Sequence, residues 1–158
     1  MTDAYDAAQL AVRQRQIDEW LGELDAAHDH IVAVDRSEDE VIRWFVRMRG
    51  EEKEFTTVWL TLGQRMFRYE TYVMPAPEEN AEQLYENLLR RNDRLVGAHF
   101  SIGMEDAVFL RGALQRGAHA QGLFDHAVRV VDVQMDRHRR GTERGGRANA
   151  EFRVLLAE

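Results

Sequence analysis

The sequence predicts an α+β fold: a twisted, mostly antiparallel sheet of about five strands with helices, in the order α-β-β-β-α-β-β-α. Three observations predict it. Residues 81–94 carry apolar side chains at helical spacing, and the period of the pattern then changes from 3.6 to 2 within a few residues. A glycine between two alternating segments, at Gly63-Gln64, indicates a tight hairpin.

The first element is a helix predicted from residue 3 to about residue 27. Leucine and isoleucine recur in it every seven residues, with a tryptophan and a leucine beside them. A large apolar side chain left in water forfeits about 1.5–3 kcal/mol that burial would provide. We therefore expect this stripe to be covered, either by the domain's own sheet or by a second copy of the chain. The predicted protein-interaction residues are Leu10, Ile17, Trp20, Leu21 and Leu24.

Alternating side chains predict three successive strands at 41–49, 55–62 and 65–74. A shorter apolar segment at 31–34 suggests a minor strand before them. Gly63 at the first of two central positions indicates a type II′ turn between the second and third strands. Pro75 ends the third strand because it has no N–H to donate.

The central helix is predicted to carry its apolar stripe over 81–94, and Pro77 before this segment suits a first helical position. Glu78 and Glu79 lie at its positive end, and three arginines follow at its negative end. Its apolar stripe consists of Ala81, Leu84, Tyr85, Leu88 and Leu89.

A strand at 94–102 and a short strand at 107–111 follow, then a loop at 112–117. Residues 118–138 have mixed strand and helix signals, and their length favours a helix. Glycines at 141–146 among arginines predict a loop, and 151–157 a short closing helix. We interpret 1–158 as one domain: the helix at 1–27, a core at 41–135 and an Arg/Gly-rich tail at 137–158.

Composition excludes several classes of function. A net charge of −7 opposes general binding to nucleic acids or anionic membranes. The sequence has no cysteine, so it has no disulfide, thiolate metal site or cysteine nucleophile. No secretory signal or membrane span is visible, which predicts a cytoplasmic protein. We expect no cofactor and no metal.

No catalytic constellation stands out. Carboxylate pairs fall in predicted turns or at a helix start, where solvation and capping account for them, and the histidines lack zinc-site spacing. Arg90-Arg91-Asn92 is either a helix end that compensates the dipole or an arginine fork for a carboxylate or phosphate. The second face of the predicted sheet is a candidate surface for binding an anionic ligand. Its candidate ligand residues are Arg43, Arg47, Arg68, Tyr72 and His99.

Three segments, at 74–80, 84–92 and 95–100, resemble the YbjN-type family, whose members are labelled bacterial sensory transduction regulators. The likeness covers roughly residues 41–135 and is closest to the actinobacterial branch. The resemblance implies a fold similar to type III secretion chaperones, often assembled as dimers or larger oligomers. The family has no established catalytic residues, so none is transferred.

Two hypotheses of function follow. The first is a non-enzymatic, chaperone-like or regulatory protein-interaction module that works as a homo-oligomer and binds an unidentified polypeptide. The second is a sensor in which an anionic small molecule binds the arginine-rich strand face and controls assembly.

Overall fold

The computed structural model of the chain describes residues 4–37, 39–49 and 55–115. In chain order they form α1 (Ala7–Ala27), β1 (Ile31–Ser37), β2 (Ile42–Arg49), β3 (Phe55–Leu62), β4 (Met66–Met74), α2 (Ala81–Asn92), β5 (His99–Ile102) and β6 (Val108–Gln115), with a 3₁₀ turn at Met104–Asp106. The elements predicted at 118–138, 141–146 and 151–157 lie outside the described residues.

The strands form one sheet in the order β1-β2-β3-β4-β6-β5, and every neighbouring pair is antiparallel. The predicted α+β class is confirmed. The sheet has six described strands rather than about five, because the minor strand predicted at 31–34 is a full strand. It extends through Ser37 along the whole of β2, with a bulge between Ile31 and Ala33.

Helix α1 begins at Ala7 and not at residue 3, because Asp6 caps it. The Asp6 carboxylate accepts a hydrogen bond from the Gln9 backbone N–H at 2.8 Å, and the Gln9 side chain accepts one from the Asp6 N–H at 3.1 Å. This reciprocal capping box satisfies two N–H groups that would otherwise lack partners at the helix start.

Helix α2 begins at Ala81, after a sharp change in backbone conformation. Asn80 precedes it in the left-handed conformation (φ 52°), so Pro77, Glu78 and Glu79 lie outside the helix rather than in its first turn. Leu84 and Leu88 are buried as expected, whereas Leu89 is 68% exposed. The buried stripe is therefore narrower than the sequence pattern suggested.

The β3–β4 hairpin is tight, but the type II′ prediction is wrong. Leu62 pairs with Phe67, and the Gly63 N–H donates to the Met66 carbonyl at 2.9 Å, so the central residues are Gln64 and Arg65. Gly63 does not have the positive φ that a II′ turn requires of it.

The last two strands differ most from prediction. The strand predicted at 94–102 begins only at His99, because the chain turns through Gly97 at φ 79°. The strand predicted to end at residue 111 instead continues through Gly112 to Gln115. Gly112 lies opposite Tyr69 of β4, where the missing side chain leaves room for the tyrosine ring.

The core lies on one face of the sheet. Alternate residues of β2 and β3 point into it and are almost fully buried, including Trp44, Val46 and Leu60. The buried side chains of α1 and α2 belong to this same cluster. Both helices therefore pack on one face.

Candidate interaction face

The other face of the sheet, which we call the open face, is covered by neither α1 nor α2, whose buried side chains belong to the core cluster on the opposite face. The strand registers align its side chains in rows across neighbouring strands. Phe45, Trp59, Glu70 and Arg111 form one such row on β2, β3, β4 and β6. Arg43, Thr61 and Arg68 form the next row.

Trp59 lies at the centre of this face. Phe45 and Glu70 are its direct neighbours on β2 and β4, and four further residues occupy the diagonal positions. Diagonal partners on an antiparallel sheet lie about 7–8 Å apart, within reach of long side chains. Glu70 is paired with Arg111 and is treated separately below. The remaining residues form what we call the Trp59 patch: Trp59, Phe45, Arg43, Arg47, Arg68 and Tyr72.

The patch is exposed, and aromatic and cationic groups are interleaved around it. Trp59 is 37% exposed and Tyr72 is 43% exposed. The Arg47 guanidinium lies 4.2 Å from the centroid of the Phe55 ring, within range for a cation–π contact. The Tyr72 and Phe109 rings pack edge-on, with their centroids 5.8 Å apart.

Glu70, the carboxylate beside Trp59, already has a cationic partner. Its Oε2 accepts a hydrogen bond from Arg111 Nε at 2.9 Å, and the Arg111 guanidinium also lies 4.6 Å from the Phe109 ring centroid. Positive charge therefore dominates the patch, although the chain as a whole is acidic.

The five candidate ligand residues all lie on the open face, but they do not converge. Arg43, Arg47, Arg68 and Tyr72 surround Trp59, whereas His99 lies on β5, three strands beyond β3. That separation is about 14 Å at the usual strand spacing. Sequence reasoning missed Trp59 and Arg111. The alternation of β3 placed Trp59 on one side of its strand, but only the register places it between these arginines.

The predicted interaction residues of α1 are packed into the chain's own core. Ile17, Trp20, Leu21 and Leu24 are each 9% exposed or less, and Leu10 packs partly buried against them. Of the two coverings expected for this stripe, the domain's own sheet is the one present here. A role of these side chains in contacting another polypeptide stays a prediction.

Asp18 anchors α1 to the sheet. One of its carboxylate oxygens accepts a hydrogen bond from the Trp44 indole N–H at 2.7 Å, and the other accepts one from Arg36 at 2.9 Å. One side chain thus ties the helix to both β1 and β2.

The edge of the sheet at β5 is closed by Asn92, the last residue of α2. Its side-chain oxygen accepts from the Phe100 N–H at 2.7 Å, and its amide donates to the Phe100 carbonyl at 3.1 Å. The preceding arginines are engaged within the helix, Arg90 with Glu86 and Arg91 with Asn87. These contacts therefore favour the interpretation of Arg90-Arg91-Asn92 as a helix end over its interpretation as an arginine fork for a ligand.

The β1 edge is blunted differently. It has a bulge between Ile31 and Ala33 and two exposed charged residues, Asp35 and Arg36. Bulges and charges on an edge strand oppose the addition of another strand.

On the core side of the sheet, Tyr69 of β4 contacts both β6 and the connection between α2 and β5. It extends across β6 at Gly112, and its hydroxyl donates to the Gly97 carbonyl in the α2–β5 connection. Burial raises the pKa of Tyr69 above its usual value of 10.0, because the charged phenolate would lose its hydration.

Two other kinds of site are not found within the described ranges. There, no group of three or more His, Asp or Glu side chains is arranged to hold a metal ion. No helix in this part of the chain has the length and apolar character needed to cross a bilayer.

Comparison with protein families decides the family. The model of the YbjN family, described as "Putative bacterial sensory transduction regulator", matches residues 14–143. The chain belongs to the YbjN family. The match extends beyond the 41–135 segment that carried the resemblance in sequence and includes most of α1.

Relatives of this YbjN chain occur in mycobacteria. The uncharacterized protein Rv0487 of Mycobacterium tuberculosis is 34% identical over 73 residues, which are 46% of this chain and 40% of that protein. The uncharacterized protein ML2442 of Mycobacterium leprae is 30% identical over 76 residues, 48% of this chain and 41% of that one. The chain thus matches about two fifths of the length of these relatives.

Among solved structures, the chain is similar to one in the heterodimeric complex ExoU-SpcU from the type III secretion system of Pseudomonas aeruginosa. The TM-score is 0.48 at 13% identity, covering 78% of this chain and 93% of the other.

Proposed function

We propose that this YbjN-family chain is a non-enzymatic protein-interaction module, and that the Trp59 patch on its open face is the contact surface. The observation that carries the proposal is an exposed tryptophan at the centre of a sheet face, ringed by three arginines and a tyrosine. Tryptophan, tyrosine and arginine are the residues that contribute most binding energy at protein interfaces.

The geometry favours contact through side chains. The β5 edge is occupied by Asn92 and the β1 edge is bulged, which opposes addition of a strand at either side. We expect the module to be cytoplasmic and to act as a homo-oligomer, a dimer or larger. The experiment below distinguishes a second copy of the chain from a different polypeptide as the occupant.

Photo-cross-linking in the native cytoplasm tests this proposal. A benzoylphenylalanine replaces Trp59 in the full chain, and a matched variant carries it at Leu89, which is exposed on α2. We expect intermolecular cross-links from position 59 but not from position 89, with mass spectrometry identifying the attached peptide. Cross-links from position 59 only to residues of the same molecule would contradict the proposal.

A second candidate function is an anionic small-molecule sensor that controls its own assembly. The observation favouring it is the cluster of Arg43, Arg47 and Arg68, while the neighbouring Glu70 is paired with Arg111. A thermal-shift screen of anionic metabolites, followed by sedimentation with each stabilising compound, tests it. A sensor requires both a higher melting temperature and a changed sedimentation coefficient, and Arg68→Gln should abolish both.

A further inference from the structure

The chemistry of the Trp59 patch specifies its partner more narrowly. We propose that the patch binds a polypeptide segment in which acidic residues flank a large apolar side chain. This inference rests on the proposed function and adds the chemical class of the partner.

The charge distribution of the sheet carries the first half of the argument. Five arginines of the strands lie on the open face: Arg43, Arg47, Arg49, Arg68 and Arg111. The described strands place only two acidic residues on this face, Asp35 and Glu70. Glu70 is paired with Arg111, with 2.9 Å between Oε2 and Nε. Complementary charge selects an acidic partner and speeds its association.

The rest of the molecule sharpens this contrast. The exposed side of α1 carries Glu19, Glu23 and Asp25, and the whole chain has a net charge of −7. A basic partner would therefore be drawn to the helical side, and an acidic one to the open face. Arg15 is an exposed arginine on α1, remote from the open face, and it supplies a matched control position.

The aromatic groups carry the second half. Trp59 and Tyr72 are each more than a third exposed, and Phe45 lies partly exposed beside Trp59. Arginines alone would bind any polyanion, whereas this arrangement also provides apolar area between the charges. A partner that covers it must bring an apolar side chain to the centre and carboxylates to the corners.

Single-stranded nucleic acid is the competing macromolecule, since aromatic side chains on a basic sheet also stack bases. The net charge of −7 opposes it, because nucleic-acid affinity rests largely on neutralising many phosphates. Carboxylates at a few positions match three arginines around one tryptophan better than a continuous phosphate backbone does.

Selection from a random twelve-residue peptide library displayed on phage tests the inference with the full chain. Counter-selection uses the chain carrying Trp59→Ala and Arg68→Glu. We expect the enriched peptides to be net acidic, with Leu, Phe, Trp or Tyr between the carboxylates. Enrichment of basic or neutral peptides, or none over the counter-selected chain, would overturn the proposal.

Binding of one enriched peptide, labelled with fluorescein, is then measured against wild type and three variants. Arg68→Glu and Trp59→Ala should each weaken it about tenfold or more, which is the loss expected on removing one charge-assisted contact or one interface tryptophan. Arg15→Glu, the same charge change on α1, should leave the affinity within about twofold of wild type, since exposed charges beyond a Debye length are screened.

Two further outcomes separate this inference from the proposed function. Cross-links from position 59 to a polypeptide whose contact segment is basic would retain the interaction module and overturn the acidic partner. A labelled twenty-nucleotide single-stranded DNA that binds as tightly as the peptide, and is lost in the Arg68→Glu variant, would overturn the acidic polypeptide in favour of nucleic acid.

Discussion

At the scale of single residues, Gly112 shows how one missing side chain shapes the last strand. It pairs with Tyr69, and a Cβ at this position would overlap the tyrosine ring and the Gly97 carbonyl. Glycine within a strand often marks such a close approach. Here it allows the Tyr69 hydroxyl to reach the α2–β5 connection.

The first prediction compares two glycine-to-alanine substitutions. Gly112→Ala should lower the free energy of unfolding by about 3 kcal/mol, because overpacking forces β4, β6 or the tyrosine to shift. Gly22→Ala should raise it by about 0.5–1 kcal/mol, because a Cβ on this α1 residue would have nothing within 4 Å. Urea denaturation measures both. Equal effects at the two positions would contradict the close approach at Gly112.

The second prediction concerns Tyr69 at alkaline pH. Tyr69→Phe removes the hydrogen bond to Gly97, which should cost about 1 kcal/mol at pH 8. The pKa of Tyr69 is raised in the folded chain, so its contribution is complete below pH 10. Above about pH 10 the unfolded chain loses the phenolic proton first, and the contribution is lost as pH rises through the folded pKa.

The stability difference between wild type and Tyr69→Phe should therefore be constant below about pH 10 and shrink as the pH rises above it, measured by urea denaturation across this range. Tyr85→Phe serves as the control. It removes a tyrosine hydroxyl at a partly buried position of α2, but this hydroxyl is not the one that donates to the Gly97 carbonyl. A difference that stays constant over this range would show that Tyr69 is not held as the neutral phenol.

At the scale of elements, Asn92 connects the end of α2 to the edge of the sheet. Its two hydrogen bonds to Phe100 take the place of a neighbouring strand at that residue. The same position in sequence predicted a helix end, which is correct, but nothing in the local pattern indicates the partner eight residues later.

The third prediction follows from this contact. Asn92→Ala should cost about 1–3 kcal/mol, because it leaves the partly buried N–H and C=O of Phe100 without their partner. Asn87→Ala changes the same residue type in the same helix, and loses only an i,i+4 contact with Arg91 worth about 0.2–0.5 kcal/mol. Amide hydrogen exchange at Phe100 should accelerate in the first variant only. Unchanged exchange there would mean that Asn92 does not close the edge.

Elements that depend on local pattern were predictable from sequence. The alternation in β2 and β3 predicted their bounds to within a residue. Elements that depend on a distant partner were not. Gly112 suggested a loop, although it lies within β6 because Tyr69 fills its space. Gly63 suggested a II′ turn, although the hairpin closes one residue later.

The candidate site was predictable only in part, for a similar reason. Alternation placed Arg43, Arg47, Arg68 and Tyr72 on one face, and they lie there. Their common centre, Trp59, depends on the registers of β2 with β3 and of β3 with β4. Those registers are set by the hairpins and by the core on the far side, neither of which can be read from β3 alone.

At the scale of the whole molecule, the sheet separates stability from recognition. Both described helices and the main cluster of buried side chains lie on one face, whereas arginines and exposed aromatic rings lie on the other. Trp44 and Trp59 illustrate the division. They are on adjacent strands and within one residue of register, with Trp44 opposite Leu60 and Trp59 opposite Phe45. Trp44 is 1% exposed and Trp59 is 37% exposed.

The last prediction uses this pair of tryptophans. Trp44→Ala should cost about 3–5 kcal/mol, since it leaves a cavity in the core and removes the indole N–H that donates to Asp18. Trp59→Ala should cost about 1 kcal/mol, the order of a lost cross-strand contact with Phe45. Urea denaturation followed by circular dichroism measures both in the full chain. Because the same residue is removed from neighbouring strands, the difference between the two losses reports the burial of one face against the other. A loss at Trp59 of about 3 kcal/mol or more, the range for a core tryptophan, would mean that the full chain buries this residue itself, and the open face would then be part of the core.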